Sequence, residues 1–293
     1  MSMVYHEGEL AVQREAHQEE SARLTIKGIR DFIPKVAAQF LEQQVMVLVG
    51  FVDREGKVRA CVLWGEAGFV KGIDERTVSI QCDHTYAPEV LQLKEGSQVG
   101  LLAIDFATRR RMRVNGTVVS IHADTLLVQT MEVYANCPKY IQARTFLGFR
   151  EQRQPTTSPQ RFSSLNVRHI EQLKRADTFF IASVHPNRGA DVSHRGGIPG
   201  FVHVLDEQTI EVADYAGNAM FNTLGNIYAY SRAGLLFLDF DTGETLQLHG
   251  EGKIQWRGTE RSLVFTVEQV VYSADGFPLR WEFGNYSPFY PKE

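Results

Sequence analysis

Cysteine is nearly missing from this chain: Cys61, Cys82 and Cys137 are the three in 293 residues. No two are spaced as CxxC, so the sequence offers neither a structural zinc site nor a disulfide framework. So low and odd a count suits a reducing compartment. No apolar run approaches the ~18 residues that a membrane-spanning helix needs. The opening MSMVYHEGEL lacks the basic stretch and apolar core of a secretory signal. These absences together lead us to expect a cytoplasmic protein. Basic excess is missing too: the formal net charge is −4, which argues against a nucleic-acid partner. The densest basic spot, Arg109-Arg110-Arg111, reads either as a solvated hairpin tip or as a phosphate or nucleic-acid contact.

What the chain does have is a repeat. Gly68-Phe69-Val70, Asp74-Glu75 and Thr77-Val78 return 132 residues later as Gly200-Phe201-Val202, Asp206-Glu207 and Thr209-Ile210. GLLAIDF from Gly100 returns 134 residues later as GLLFLDF from Gly234, and Met112–Gly116 aligns with Leu246–Gly250 at the same offset. Solenoid units are ~20–50 residues long, so a period this long means a duplicated domain. The expected organisation is a first barrel over 1–150, a linker over 151–164 (polar, with two prolines) and a second barrel over 165–293.

Local patterns fill in the halves. Residues 9–20 are polar and helix-prone, and residues 30–43 space Phe32, Val36, Phe40 and Ile33, Ala37, Leu41 as an amphipathic helix. Short β-branched runs follow, separated by turn signals such as Asp53-Arg54-Glu55-Gly56. Helices are expected around Pro88–Leu93, over Asn136–Phe149 with Pro138 near its first turn, over Asn166–Lys174, and from Asn218 to about Tyr228. The aromatic tail from Gly276 should pack extended on a barrel. The expected fold class is mainly β with short helices, an α+β arrangement of two tandem split β-barrels that form a pseudo-dimer.

Function is sought where the copies differ. Aligned at 132, Ala60-Cys61-Val62-Leu63-Trp64-Gly65 is replaced by Val192-Ser193-His194-Arg195-Gly196-Gly197. A hydroxyl, a guanidinium and adjacent glycines suit a phosphate; a polar hairpin edge is the alternative. Asp214-Tyr215-Ala216-Gly217-Asn218, followed by Asn222, Thr223 and Asn226, reads as a helix start able to hold an anion, or as an ordinary cap. Gln247 stands where the first copy has Arg113, and can both donate and accept toward a heterocycle edge.

With FFIASV, ADVSHRGGIPGFV, TIEVADYAGNAMFNTLGNI, AGLLFLDF and TLQLHG, the second half resembles the pyridoxamine 5'-phosphate oxidase-like split barrels that bind FMN. The likeness covers about residues 176–256, and the repeat extends it over 45–120. It implies an FMN site formed by Ser193, His194, Arg195, Asn218 and Thr223, with Gln247 near the ring. In that family the site is shared between two barrels of a dimer, so the duplicated chain looks like the dimer fused. Lys139 and Arg144 of the first copy would then be able to reach the phosphate; a solvated basic face is the alternative. Cys137 as a nucleophile lacks an identifiable base. The sequence departs from true pyridoxamine phosphate oxidases: no basic pair follows Asn218, and LRWEFGNYSPFYP does not match their substrate segment. His6–Glu9 is reminiscent of duplicated relatives joined to ferredoxin-reductase modules, but no cysteine cluster or GxGxxG is present.

The implied function is an FMN-dependent oxidoreductase acting with a small-molecule substrate or electron donor. The alternatives are a flavin carrier or sensor without turnover, and a haem-binding split barrel using His169, His185, His194 or His203. A homodimer of the fused pair is a further expectation; a membrane partner is not.

Overall fold

The computed structural model describes residues 5–82, 92–122, 124–151 and 158–290. The first half opens with helices α1 (Glu7–Glu15), α2 (Glu19–Thr25) and α3 (Lys35–Glu42). Seven strands follow: β1 (Met46–Val52), β2 (Val58–Trp64), β3 (Val70–Gly72), β4 (Thr77–Gln81), β5 (Gln98–Asp105), β6 (Arg110–His122) and β7 (Thr125–Ala135). Next come β8 (Ala143–Phe149), β9 (Gln160–Phe162) and α4 (Val167–Arg175). The second half has β10 (Thr178–His185), β11 (Gly189–Gly196), β12 (Val202–Asp206), β13 (Thr209–Ala213), α5 (Asn222–Ala229), β14 (Arg232–Leu238), β15 (Thr245–Arg257), β16 (Glu260–Ser273) and β17 (Leu279–Asn285). Among the described residues no helix is long and apolar enough to cross a membrane.

The two sheets have one topology. The first runs β2-β1-β5-β6-β7-β4-β3 and the second β11-β10-β14-β15-β16-β13-β12, strand for strand the same path. Neighbouring strands pair antiparallel, as in β1 with β5 and β10 with β14. All seven strands of the first sheet feed one core, from Val49 and Leu63 through Val70 and Ile80 to Leu101, Val114 and Val128. A flat sheet cannot bring both its edges into one cluster, so this sheet curls on itself. The protein is mainly β, with short helices and a duplicated barrel arrangement.

Strands β1, β5, β10 and β14 are apolar on both faces because each face has a core to fill. Val47 and Val49 of β1 point into the first barrel, whereas Met46 and Leu48 point outward into a shared core. In β10, Phe179 and Ile181 point inward, and Phe180 and Ala182 join the same shared core. That core joins the outer faces of β1, β2 and β5 to those of β10, β11 and β14. The repeated Gly-Leu-Leu explains how closely the barrels meet. A Cβ on Gly100 would lie 2.4 Å from the Asp191 Cα, and one on Gly234 would lie 2.4 Å from the Val58 carbonyl oxygen. Each glycine sits where the other barrel's second strand passes at backbone contact.

Several expected elements shift. The helix over residues 30–43 is found as Lys35–Glu42, with Ala37, Phe40 and Leu41 buried. The helix expected at Asn166–Lys174 is Val167–Arg175, and Asn166 caps it by accepting from the His169 amide at 3.0 Å. The stretch 136–149 is not a helix. Tyr140 takes a left-handed φ of 67°, and the chain then enters β8, paired with the C-terminal β17. The fully buried Gln142 side chain fixes this ribbon, donating to the Gly197 carbonyl at 2.9 Å and accepting from the Ser287 amide at 2.9 Å. Tertiary pairing overrides local helix propensity here. The aromatic tail is extended as expected, and β17 is its partner in that ribbon. The end of the expected linker joins the second sheet as β9, paired with β16. α5 begins four residues later than read, because Ala219 and Phe221 lie left-handed at φ 62° and 61°. The helix expected around Pro88 lies outside the described residues.

Candidate functional site

A cleft forms where β6 of the first barrel faces β11, β13 and α5 of the second. Period-two alternation on β11 divides its side chains. Ala190 and Val192 go to the shared core, while Ser193 and Arg195 point toward the cleft. The left-handed residues before α5 turn its first residues, Asn222 and Thr223, into the same space. The cleft encloses about 110 Å³, below the ~300–1,000 Å³ of typical small-molecule sites, and it opens to solvent.

Charge is the cleft's main property. Arg111, Arg113, Lys139, Arg195 and Arg261 line it, against one acid, Asp214. Asp214 is shared, 3.0 Å from Arg195 and 2.7 Å from Arg261. Arg111 has no carboxylate partner among the described residues. It donates to the Cys137 carbonyl at 2.8 Å and to Nδ1 of His194 at 2.9 Å. Burial, then Arg195 and Arg113, push its pKa down to about 10. Arg113 pairs with Asp191 at 3.3 Å and with the Tyr134 hydroxyl at 3.0 Å. Burial works against its charge, but Asp191 and Tyr134 outweigh it and raise the pKa. The Arg113 Nε remains buried without a partner.

Ser193 is the meeting point of the two copies. Its hydroxyl oxygen accepts from Arg113 of the first barrel and from the Thr223 hydroxyl, the latter at 2.8 Å. With both lone pairs occupied, its own proton is left to donate. His194 is buried, and its pKa is held well below the usual value by burial, then by Arg111, Arg144 and Arg195. Because Arg111 only donates, Nδ1 of His194 must accept, which places the ring proton on Nε2. That Nε2 is buried without a partner.

The sequence-derived candidates separate into two groups. Ser193, His194, Arg195, Asn218, Thr223 and Lys139 line the cleft. Asn218 folds back locally, its Oδ1 accepting from the Met220 amide at 3.2 Å. Lys139 lies 5.9 Å over the Phe289 ring. Gln247 and Arg144 lie outside the lining. Gln247 sits on β15 of the second barrel, between Leu236 and Val271. The cleft joins opposite barrels, so the sixth-strand residue that enters it is the first barrel's Arg113. Arg144 is consumed by Asp177 at 2.6 Å and stacks 4.1 Å over Phe240. The two glycines after Arg195 serve packing rather than an anion. A Cβ on Gly196 would meet the Tyr140 carbonyl oxygen at 2.0 Å, and one on Gly197 would meet the Phe201 ring at 2.0 Å.

Sequence reasoning missed Arg113 and Arg261 as cleft residues and left Arg111 undecided. The arginine run divides at the start of β6: Arg109, left-handed at φ 53° in the preceding turn, donates to the Ile141 carbonyl at 2.9 Å, whereas on the strand Arg110 is exposed and Arg111 enters the cleft. The copy-to-copy alignment of Gln247 with Arg113 was the available signal for Arg113.

At the corresponding place in the other copy, Cys61 and Leu63 point into the first barrel's core. Arg59 there is satisfied by Asp53 at 2.6 Å and by His249 at 2.6 Å. Elsewhere, His6, Glu7 and His185 bring donor atoms within 4.8 Å of one another. Both ring nitrogens of His6 are already engaged, with the Gly8 amide and the Asn226 side chain.

Compared with known proteins, the chain matches no family model and no curated sequence. Solved structures with a similar arrangement are split-barrel proteins. They include HupZ of Group A Streptococcus, at 12% identity and TM-score 0.33, over 39% of this chain and 98% of that one. Another is a protein of Clostridium acetobutylicum related to general stress protein 26, of the pyridoxinephosphate oxidase family, at 13% identity and TM-score 0.30, over 40% and 92%. A third is HutZ, the haem storage protein of Vibrio cholerae, at 12% identity and TM-score 0.29, over 39% and 96%. At these identities and scores the likeness decides nothing about function.

Proposed function

We propose that this chain is an FMN-binding flavoprotein that performs redox chemistry with a small molecule, and that the cleft between its two copies is the cofactor site. The observation that carries this reading is the cleft's charge: five cations against one acid, in a chain of net charge −4. Such a cleft selects an anion, and arginines favour a phosphate through charge-assisted forks. Arg195, Ser193, Thr223 and the first turn of α5 would hold the phosphate. The unpartnered donors, Nε2 of His194 and Nε of Arg113, supply further hydrogen bonds to an acceptor-rich ligand. Tyr140 and Tyr215, with ring centroids 5.1 Å apart, give the cleft an aromatic wall for a planar ring. When bound, the flavin supplies hydride or electron transfer, and the protein's part is to bind, orient and screen it.

The haem reading through His194 is disfavoured by chemistry. An Nε2 ligand must be deprotonated, but Arg111 fixes the proton on that nitrogen.

Flavin absorbance of the purified protein tests the binding, and bleaching by NADH or NADPH followed by reoxidation in air tests turnover. Binding of FMN without reduction by any donor would leave the carrier reading. A Soret band in place of flavin bands would overturn the proposal.

A further inference from the structure

Behind the cleft, polar groups from β6, β7, β11, α5 and the start of α1 close a ring. Arg113 donates to the Tyr134 hydroxyl at 3.0 Å, and that hydroxyl donates to Asn222 Oδ1 at 3.4 Å. Asn222 Nδ2 donates to Glu9 at 2.6 Å, and the Glu9 carboxyl accepts from the His6 amide at 2.9 Å. The His6 ring meets Asn226 at 2.9 Å, Asn226 donates to Asp191 at 3.3 Å, and Asp191 returns to Arg113 at 3.3 Å. Arg113 and Asn222 line the cleft; His6 caps the N-terminal helix α1 and Glu9 lies within it, 213 residues from Asn222 in sequence. Close backbone packing brings them there, since a Cβ on Gly8 would fall 2.1 Å from the Gly225 carbonyl oxygen.

We propose that Glu9 is a positioning residue of the cleft: by holding the Asn222 side chain it fixes the first turn of α5, and with it the Thr223 hydroxyl that meets Ser193. The first turn of α5 needs such an anchor. Phe221, at the cap position, has a left-handed backbone and provides no side-chain cap, so the usual local stabilisation is missing. Glu9 is 4% exposed, and its pKa is pushed up to about 8, first by burial and then by Glu132 and Asp191. The titratable groups facing it are Tyr5 and His6 on the N-terminal side, Glu132 and Tyr134 on β7, and Asp191 on β11. It is therefore neutral at pH 7, and its ionisation places a buried charge beside two acids. The bonds from Asn222 and His6 favour the carboxylate, but burial and the two acids outweigh them, so the latch loosens as pH rises from about 4.5 to about 8 and levels off above. The consequence for ligand affinity rests on the FMN reading, whereas the consequence for α5 does not.

Two readouts on the full chain test this. Hydrogen exchange of residues 222–225, without ligand, should show about tenfold less protection in Glu9→Ala than in the native protein at pH 7, as expected for loss of ~1.4 kcal/mol. Glu9→Gln, which is neutral and keeps one acceptor oxygen for Asn222 but not the second for the His6 amide, should retain more protection than Glu9→Ala. Raising the pH to about 9 should reduce protection in the native protein and not in Glu9→Gln. FMN titration should show the same ranking in affinity. Equal protection in all three proteins at both pH values overturns the proposal, as does unchanged FMN affinity in a Glu9→Ala protein whose α5 has loosened. If Glu9→Ala does not fold, the pH comparison of native protein with Glu9→Gln decides. If α5 responds as stated while even the native protein ignores FMN, Glu9 still positions the helix and the FMN reading falls alone.

Discussion

Arg113 of the first barrel and Ser193 of the second share a hydrogen bond across the cleft. The contact joins strands that belong to different copies of one repeat. The cleft therefore has no counterpart built from either copy alone, and its chemistry follows from which residue each copy contributes.

The first prediction exploits that division. Arg113→Gln puts into β6 the residue that the second copy carries at the aligned position. It removes one cation from the cleft and its ion pair with Asp191. FMN affinity should fall about tenfold, at ~1.4 kcal/mol per decade, while riboflavin affinity changes little. Parallel flavin titrations check this, and an equal fall for both ligands would assign Arg113 to structure alone.

The second prediction is stoichiometric. In the first copy, Cys61 and Leu63 occupy the places of Ser193 and Arg195 and are buried in the core. One FMN per chain is expected. Flavin released by heat and counted against protein measures it, and a ratio near two would reveal a second site.

Much of this was legible in the sequence. The repeat with its steady offset anticipated two sheets of the same strand order, because identical turn and strand signals recur at identical spacing. Ser193, Arg195 and Thr223 were visible as departures of one copy from the other. What stayed hidden was decided by tertiary contact. Residues 136–149 have helical composition, but β17 lies 130 residues onward and pairs with them. Gln247 was assigned to its own copy's site, since a single strand does not show which barrel it faces. The anchoring of α5 by Glu9 crosses 213 residues, and no local pattern reports it.

The third prediction concerns acid. His6 and His249 have pKa values pushed down to about 4 from 6.5, each chiefly by burial, with His185 beside one and Arg59 beside the other. A folded value below the unfolded one means that the unfolded chain binds more protons between those values. Their contribution to stability is intact above about pH 6.5 and is lost as pH falls toward 4. Urea midpoints across that range should fall in the native protein and less steeply in His249→Gln. Identical slopes would show that His249 does not contribute.

The fourth prediction tests the seam between the barrels. Gly100→Val forces atoms into the Asp191 backbone, which is already 2.4 Å from where a Cβ would sit. Overpacking of this kind costs ~1–3 kcal/mol or more, so the thermal midpoint should drop by several degrees. An unchanged midpoint would mean that the barrels meet less closely than described.

The most direct measurement of the central claim is the affinity of native protein and Arg195→Ala for FMN and for riboflavin. Arg195 pairs with Asp214 at 3.0 Å and is partly exposed. A charge-assisted hydrogen bond contributes ~1.5–3 kcal/mol, and Arg111 and Arg261 remain in the variant to blunt the loss. The native protein should prefer FMN to riboflavin by at least about tenfold, and Arg195→Ala should lose about tenfold or more for FMN alone. Equal affinity of the native protein for the two flavins, or equal losses for both in the variant, would contradict a phosphate site in this cleft.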